Sequence, residues 1–447
     1  MTDTTYMLNL LEDLLTKAKA KGADAADAVH IESKSLAVAQ RLGNAEKLER
    51  SESSDIGLRA LVGNRQAIVS SSDSSREALE ELVDRVVSMA KAVPEDPYCG
   101  LADSQQLAIN IVDVDSFDPS EPTTGTLVDW ANRAEAAARG IPGITNSEGA
   151  EAGWGQATVS VAATNGFAQT YSGSHYSLSA SVIAGEGTRM ERDYDYTGAV
   201  YAEDMMNPED VGRNAGEKAI KRLNPRKAET AQVPVIYDPR VSRGILGHLA
   251  SAINGSAIAR DTSFLKEEMG NQIFNTNITI YDDPHRPRGL RSKPFDGEGV
   301  ENEKRKIIDN GVLTTWIMDL RSSRQLGLKT TGHASRGTGS PPSPSVTNVY
   351  LEPGTVTPTE LMNDIKSGLY ITELIGMGIN GLTGDYSRGA AGYWIENGVL
   401  TYPVSEITIA GNLKDMFLNL TPADDLEFRY GIDAPTLRID GMTLAGK

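Results

Sequence analysis

Cysteine is nearly missing: Cys99 is the only one in 447 residues. That excludes an intrachain disulfide and any zinc or iron–sulfur site built from several thiolates, and it fits a reducing compartment. Positive charge is also in deficit, with 43 Lys and Arg against 61 Asp and Glu and a net charge of −18. Such an acidic balance argues against non-specific binding of nucleic acid or an anionic membrane, which would need a local basic face, so neither is expected as a partner. No apolar run reaches membrane-spanning length. The first residues lack the basic segment and apolar core of a secretion signal, and the expected location is the cytoplasm. The Gly-rich runs at 295–299 and 384–392 lack the strand, glycine loop and helix setting of a dinucleotide or phosphate site, so no nucleotide cofactor is expected. Trp154, Trp316 and Trp394 stand in strand-like contexts and read as core rather than as base-stacking platforms.

What is present suggests two or three domains. Residues 6–21 carry Leu8, Leu11, Leu14 and Leu15 at helical spacing and stop at Gly22. Four short β-like segments come next, at 26–31, 35–41, 54–62 and 65–71, and then a helix from Arg76 to Ala92. The region 93–122 is rich in Pro, Asp and Ser and reads as a connector. Beyond it the order repeats: a helix at 126–139, strand-like runs at 145–151, 156–164, 167–184 and 187–201, and a helix at 208–223. The expectation is an α+β protein with a duplicated helix, four-strand, helix layout in units 1–92 and 123–223. A polar stretch at 224–232 then separates these from a strand-rich part, 233–447. There Val233 to Tyr237 reads as a strand, Asp238-Pro239 as a helix cap, and 243–253 as an apolar helix. Short helices are expected at 322–326, 358–367 and 413–418, with a large sheet closing into a barrel as the natural assembly.

The most specific grammar lies at 383–412. Asn397-Gly398 between β-rich arms at 393–396 and 399–404 predicts a type I′ hairpin, because both turn positions need positive φ. Before it, Asp385-Tyr386-Ser387-Arg388-Gly389-Ala390 forms a loop able to hold a ligand or peptide. Together with Trp394-Ile395-Glu396-Asn397-Gly398 and Pro403-Val404-Ser405-Glu406-Ile407-Thr408-Ile409-Ala410-Gly411-Asn412-Leu413, this stretch resembles the C-terminal signature of the TldD/PmbA family, in its PmbA (TldE) branch. The resemblance covers nearly the whole chain.

A metalloprotease helix needs two histidines one turn apart with a carboxylate beside them. The TldD branch carries His-Glu-x-x-x-His on the helix after Val233, and a late cysteine. Here His248 remains, but Leu249 and Ile253 occupy the Glu and second His positions, and residues 423–436 hold no cysteine. A lone histidine cannot hold a catalytic zinc, so no metal and no catalytic residue are assigned to this chain, and His248 reads as structural or substrate-contacting. The resemblance implies a metal-free subunit of a cytoplasmic heteromeric metalloprotease, with zinc and catalysis in a TldD-like partner. It further implies small or unfolded peptides as substrates, in peptide maturation and antitoxin degradation; a homodimer is the alternative assembly in isolation. His333, Asp385, Tyr386, Ser387 and Arg388 are the candidate substrate-binding residues. A non-proteolytic regulator of the DNA gyrase modulator type is a second reading. An autonomous hydrolase using His333 with Ser335 or Ser387 and Asp385 is a third. Asp282-Asp283-Pro284-His285 and Asp296-Gly297-Glu298 read as turn chemistry rather than metal sites.

Overall fold

The computed structural model describes residues 4–447, so the sequence reading at residues 1–3 lies outside the described part. The first unit is α1 (Thr4–Ala20), β1 (Ala25–Arg41), β2 (Asn44–Val62), β3 (Arg65–Ser71) and α2 (Arg76–Ala92). The second is α3 (Thr124–Arg139), β4 (Ile144–Ala163), β5 (Ala168–Ala184), β6 (Glu191–Ala199) and α4 (Pro208–Lys221). Each unit therefore has three strands between its helices, not the expected four. The correction falls at the same place in both, because two short segments fuse into one long first strand, β1 or β4. The fusion runs through Glu32, Ser33 and Lys34, which have little strand preference of their own. They are held by ladders on both sides: Ser33 is opposite Ser53 of β2 and Ala157 of β4. Pairing on both edges satisfies the backbone whatever the side chains prefer.

The six strands make one antiparallel sheet in the order β3-β2-β1-β4-β5-β6, so the units meet side by side at β1 and β4. All four helices lie on one face. Ala26 and Ala28 of β1 pack with Leu11, Leu14, Val83 and Val86 beneath α1 and α2. Leu36 and Val38 of the same strand pack with Leu127, Ala131, Val211 and Ala215 beneath α3 and α4. Each fully buried leucine or valine contributes about 1.5–3 kcal/mol relative to exposure. The alternate residues of β1 face the other way, and there Val29, Val161 and Phe167 meet Phe295 from the C-terminal part.

That part contains β7 (Ala231–Tyr237), α5 (Pro239–Ala252), α6 (Gly255–Ala259), β8 (Ile280–Asp282), β9 (Arg305–Asp309), β10 (Val312–Leu313), α7 (Leu320–Leu326), β11 (Ala334–Ser335), β12 (Ser343–Pro344), β13 (Val349–Leu351) and α8 (Pro358–Met362). It continues through β14 (Ser367–Ile375), β15 (Asp385–Glu396), β16 (Val399–Asn412), α9 (Leu413–Leu418), β17 (Leu420–Pro422), β18 (Ile432–Asp433) and β19 (Leu437–Ala445). The helix expected at 358–367 stops at Met362. The Asp238 side chain caps α5 by accepting from Arg240 N at 3.0 Å, with Pro239 in the first turn.

Strands β16, β15, β14, β7 and β19 are joined in order, and β16 pairs again with β19 through Thr408–Ala445, Ile409–Leu444 and Ala410–Thr443. The ring is thereby a closed five-stranded barrel, as the strand-rich composition led one to expect. Val235, Leu369, Ile371, Ile409 and Ile439 belong to its core. A second sheet, β10-β9-β8-β13-β18, supplies Ile280, Ile308, Val349 and Leu351 to the same core. Helix α5 contributes Ile245, Leu246 and Leu249 to it. Among the described residues no helix is long and apolar enough to cross a membrane.

Candidate functional site

Strand β15 separates the signature loop into two faces, because successive side chains of a strand point opposite ways. Asp385 and Ser387 are exposed, whereas Tyr386 is 1% exposed and joins the barrel core. Arg388 is half-buried. Its Nε lies 3.5 Å from the Ile375 carbonyl. The Tyr237 hydroxyl donates to Met442 Sδ at 3.3 Å and faces the Tyr386 hydroxyl. Against Tyr386 stands the ring of His248 from α5, edge-on at 5.9 Å. Burial, reinforced by the Arg388 charge, pushes the His248 pKa down to about 4.

The sign is fixed by that shift. His248 binds a proton less readily folded than unfolded, so its contribution to stability is fully present above about pH 6.5 and is lost as the pH falls toward 4. Its Cε1 proton shift in NMR should stay that of a neutral ring down to about pH 5; a midpoint near 6.5 would contradict this packing.

The outward face is shaped by the loop 376–384. Ser387 N donates to Gly378 O at 2.7 Å, and a Cβ on Gly378 would come within 1.8 Å of Ser387 O, so this close approach requires glycine. Asp385 closes the loop by accepting from Thr383 Oγ1 at 2.6 Å and Asn412 Nδ2 at 3.1 Å. Those two bonds, the hydroxyl's first, hold its carboxyl below the usual range. Ile375, Met377 and Leu382 are 60%, 92% and 61% exposed. An apolar patch thus borders the polar loop. Strand β15 itself is paired with β14 and β16. Its edges are therefore filled by β16 along one side and, along the other, by β14 from Gly389 onward and the loop 376–384 at Tyr386 and Ser387.

The structure does not bring His333 to these residues. It is 2% exposed, with Nδ1 3.0 Å from Thr331 Oγ1 and Nε2 3.3 Å from Asp282 Oδ2. The imagined catalytic grouping with Ser387 and Asp385 is replaced by a closed one. The Thr331 hydroxyl accepts from Met318 N at 2.7 Å, and Asp282 accepts from Thr347 N at 2.8 Å. His333 therefore supports the loop's interior instead of lining a groove. Three to five residues further along the chain, the segment 336–338 is pressed against the first sheet, where a Cβ on Gly57 would meet Thr338 O at 2.1 Å.

The motif helix does not fit a zinc ion. Leu249 is 1% and Ile253 0% exposed, both in the core beside the barrel. Among the described residues no group of three or more His, Cys, Asp or Glu side chains is arranged to hold a metal. The acidic turns behave as turns: Asp283 Oδ1 accepts from His285 N at 3.1 Å, and Asp296 Oδ1 accepts from Glu298 N and Val300 N at 2.8 and 2.9 Å.

Sequence reasoning missed a buried polar seam between the first sheet and the C-terminal part. Asp27 and Arg59, on the sheet face away from the helices, are each 3% exposed. Arg59 Nε donates to Asp27 Oδ2 at 2.9 Å, and Arg336 Nη1 to Asp27 Oδ1 at 2.6 Å. Asp296 and Glu298 lie alongside, with Asp296 Oδ2 accepting from Ala334 N at 3.0 Å and Glu298 Oε2 from Leu320 N at 2.9 Å. The one local signal was a charged residue inside an apolar run, Asp27 in ADAADAVHI and Arg59 in DIGLRALV.

Comparison with known proteins places these features in a family. Models of the PmbA/TldA metallopeptidase match domain 1 at residues 26–90, the central domain at 117–223 and the C-terminal domain at 230–446. The metalloprotease PmbA of Escherichia coli O157:H7 is 38% identical over 97% of this chain and 94% of its own. A Bacteroides thetaiotaomicron protein provisionally described as a modulator of DNA gyrase superposes with a TM-score of 0.91 at 25% identity, covering 98% of both chains. TldE from Thermococcus kodakarensis shares the fold, with a TM-score of 0.86 at 19% identity over 98% of this chain and all of that one.

Proposed function

The chain belongs to the PmbA/TldD metallopeptidase family, and from that premise we propose that it is the subunit without zinc in a two-subunit peptidase whose catalysis lies in a TldD-like partner. The observation that carries the reading is the pair Leu249 and Ile253. On α5 and at the residue that caps its C-terminus, where the zinc-bearing branch has glutamate and histidine, both side chains are core hydrophobes, and His248 is left packed against Tyr386. A helix face already committed to the core has no room for a metal and its bound water.

This chain's part is then to bind and place the peptide. The exposed surface of Ile375, Met377 and Leu382, beside Ser387 and Asp385, contacts apolar side chains of an unfolded peptide, and the acidic surface favours basic ones. Folded proteins keep such side chains buried, so selection for small or unfolded substrates follows. Arg388 and Tyr386 stiffen the loop from its inner side.

The test is cleavage of an unstructured peptide by the purified chain, alone and mixed with a TldD-like chain from the same source, with metal content assayed in each sample. The chain alone should be inert and the mixture should cleave and co-elute as a complex. Cleavage by the chain alone in chelator, or a complex that binds peptide and never cuts it, would sink the proposal.

A further inference from the structure

Where the end of β6 meets the C-terminal part lies a cavity of about 330 Å³, walled by Gly198 and Ala199 on one side and by Arg286, Leu290, Phe428 and Arg429 on the other. None of its lining residues belongs to the surface at 375–388. Its cations are unusual for so acidic a chain. The Arg286 guanidinium has its Cζ 3.9 Å from the centre of the Phe428 ring, and among the described residues it makes no hydrogen bond and no ion pair. Phe428, 42% exposed, is fixed edge-on against Tyr350 at 5.2 Å. Contact with a ring face engages none of the guanidinium N–H donors, so they stay available. Arg429 Nη2 donates to Tyr196 O at 2.9 Å and to Met206 Sδ at 3.2 Å, while its Nε and Nη1 have no acceptor among the described residues.

Carboxylates stand near, and each is committed elsewhere. Asp433, 3% exposed, accepts from the backbone N–H groups of Arg429, Tyr430 and Gly431 at 2.9, 2.8 and 3.1 Å. Asp283 pairs with Lys304 at 3.3 Å. Asp204 pairs at 3.0 Å with Arg288, which also holds Asp115 and Glu203 at 2.8 and 2.7 Å. Burial works against the Arg286 charge, and the fields of Asp433 and Asp283 only partly offset it. A half-buried guanidinium in that position lacks the counter-charge that would satisfy it.

We propose that this cavity binds the free C-terminal carboxylate of a short peptide, with Arg286 and Arg429 on the carboxylate and Leu290 and Phe428 against the last side chain. A guanidinium presents paired N–H donors in one plane, which match the two oxygens of a carboxylate. Arg286 and Arg429 against Asp433 leave one net positive charge, which a monoanion neutralises. The Arg288 cluster, which also borders the cavity, sets one cation against three carboxylates and repels a phosphate dianion. A recess between two parts of a chain, apolar on one wall with a few convergent donors, is where small ligands are ordinarily held. The site goes beyond the peptidase reading: it fixes which end of a peptide this chain holds, and it needs no zinc-bearing partner.

Isothermal titration calorimetry of the full chain by itself tests it, with acetyl-Ala-Ala-Leu and the same peptide as its C-terminal amide. The acid should bind about tenfold more tightly than the amide. Arg286→Gln should bring the two affinities together; a variant that merely unfolds would lose both peptides, so the ratio reports the contact and not the fold. Arg286→Lys keeps the charge and loses the paired donors, and should bind the acid about threefold more weakly with the amide unchanged. Phe428→Ala, at an exposed ring, should weaken both peptides by about threefold. Inorganic phosphate at matched ionic strength should displace the acid no better than acetate does. Cleavage plays no part in any of these readings. No binding at millimolar peptide, equal affinity for acid and amide, an acid affinity unmoved by Arg286→Gln and Arg286→Lys, or displacement by phosphate at lower concentration than by the peptide acid overturns the proposal.

Discussion

Asp27→Asn is expected to cost about 3–5 kcal/mol of folding stability, read as a lower urea midpoint at unchanged slope. Asp27 is the shared carboxylate of two buried guanidiniums: Arg59 reaches it through Nε and Nη2, and Arg336 through Nη1. Burial works to raise its pKa, yet the charges of Arg336 and Arg59 pull it below the ordinary value. The asparagine amide keeps the shape and removes the charge, leaving two cations in a seam that admits almost no water. Arg59 retains Gln66 Oε1 at 3.3 Å, which offsets little. Because desolvation of the ions weighs against the pair as well, the triple replacement Asp27→Leu, Arg59→Met and Arg336→Met should restore most of the loss. A fall under about 1 kcal/mol for Asp27→Asn would mean that the seam is wet and the triad dispensable.

The seam also marks where the sequence stopped being legible. Local grammar carried far: the Asn397-Gly398 turn has φ of 50° and 80°, as a type I′ hairpin requires, and Asp238-Pro239 caps α5 where it should. What failed were features set by distant partners. The polar residues 32–34 became strand because β2 and β4 flank them, and no window of β1 records that. Barrel closure depends on Ile409 meeting Leu444, and the triad on Arg336 meeting Asp27. Of the candidate site, the loop at 385–388 was visible because glycines and a hairpin turn punctuate it. Its division into an exposed and a buried face follows from strand alternation once β15 is known to begin at Asp385. The interior position of His333 had no local sign, since its polar neighbours Thr330, Thr331 and Ser335 read equally well as a solvent-facing loop.

The same seam should make this protein less stable in mild alkali, and Glu298→Gln should remove much of that loss. Burial pushes the Glu298 carboxyl up, the neighbouring charges of Asp296 and Asp319 push it further, and Arg59 only partly opposes them, leaving it at about 8. Asp296 is also raised by burial, but it accepts three backbone N–H bonds, so of the two it ionises first. The folded state thus holds a proton that the unfolded chain releases near pH 4.5. Stability falls as the pH climbs between those limits, at about 1.4 kcal/mol per pH unit for one proton, summing to a few kcal/mol by pH 8. Glutamine can still accept from Leu320 N, as Glu298 Oε2 does at 2.9 Å, and has no proton to lose. Urea unfolding from pH 6 to 9 should therefore give a falling curve for the natural chain and a flatter one for the variant. Parallel curves would place the proton elsewhere. Because Glu298 adjoins both Arg59 of the first sheet and the start of α7, its ionisation acts on the contact between the two parts of the molecule. Alkaline loosening should accordingly appear first as faster amide exchange along β11 and the loop 330–339, before the barrel strands respond.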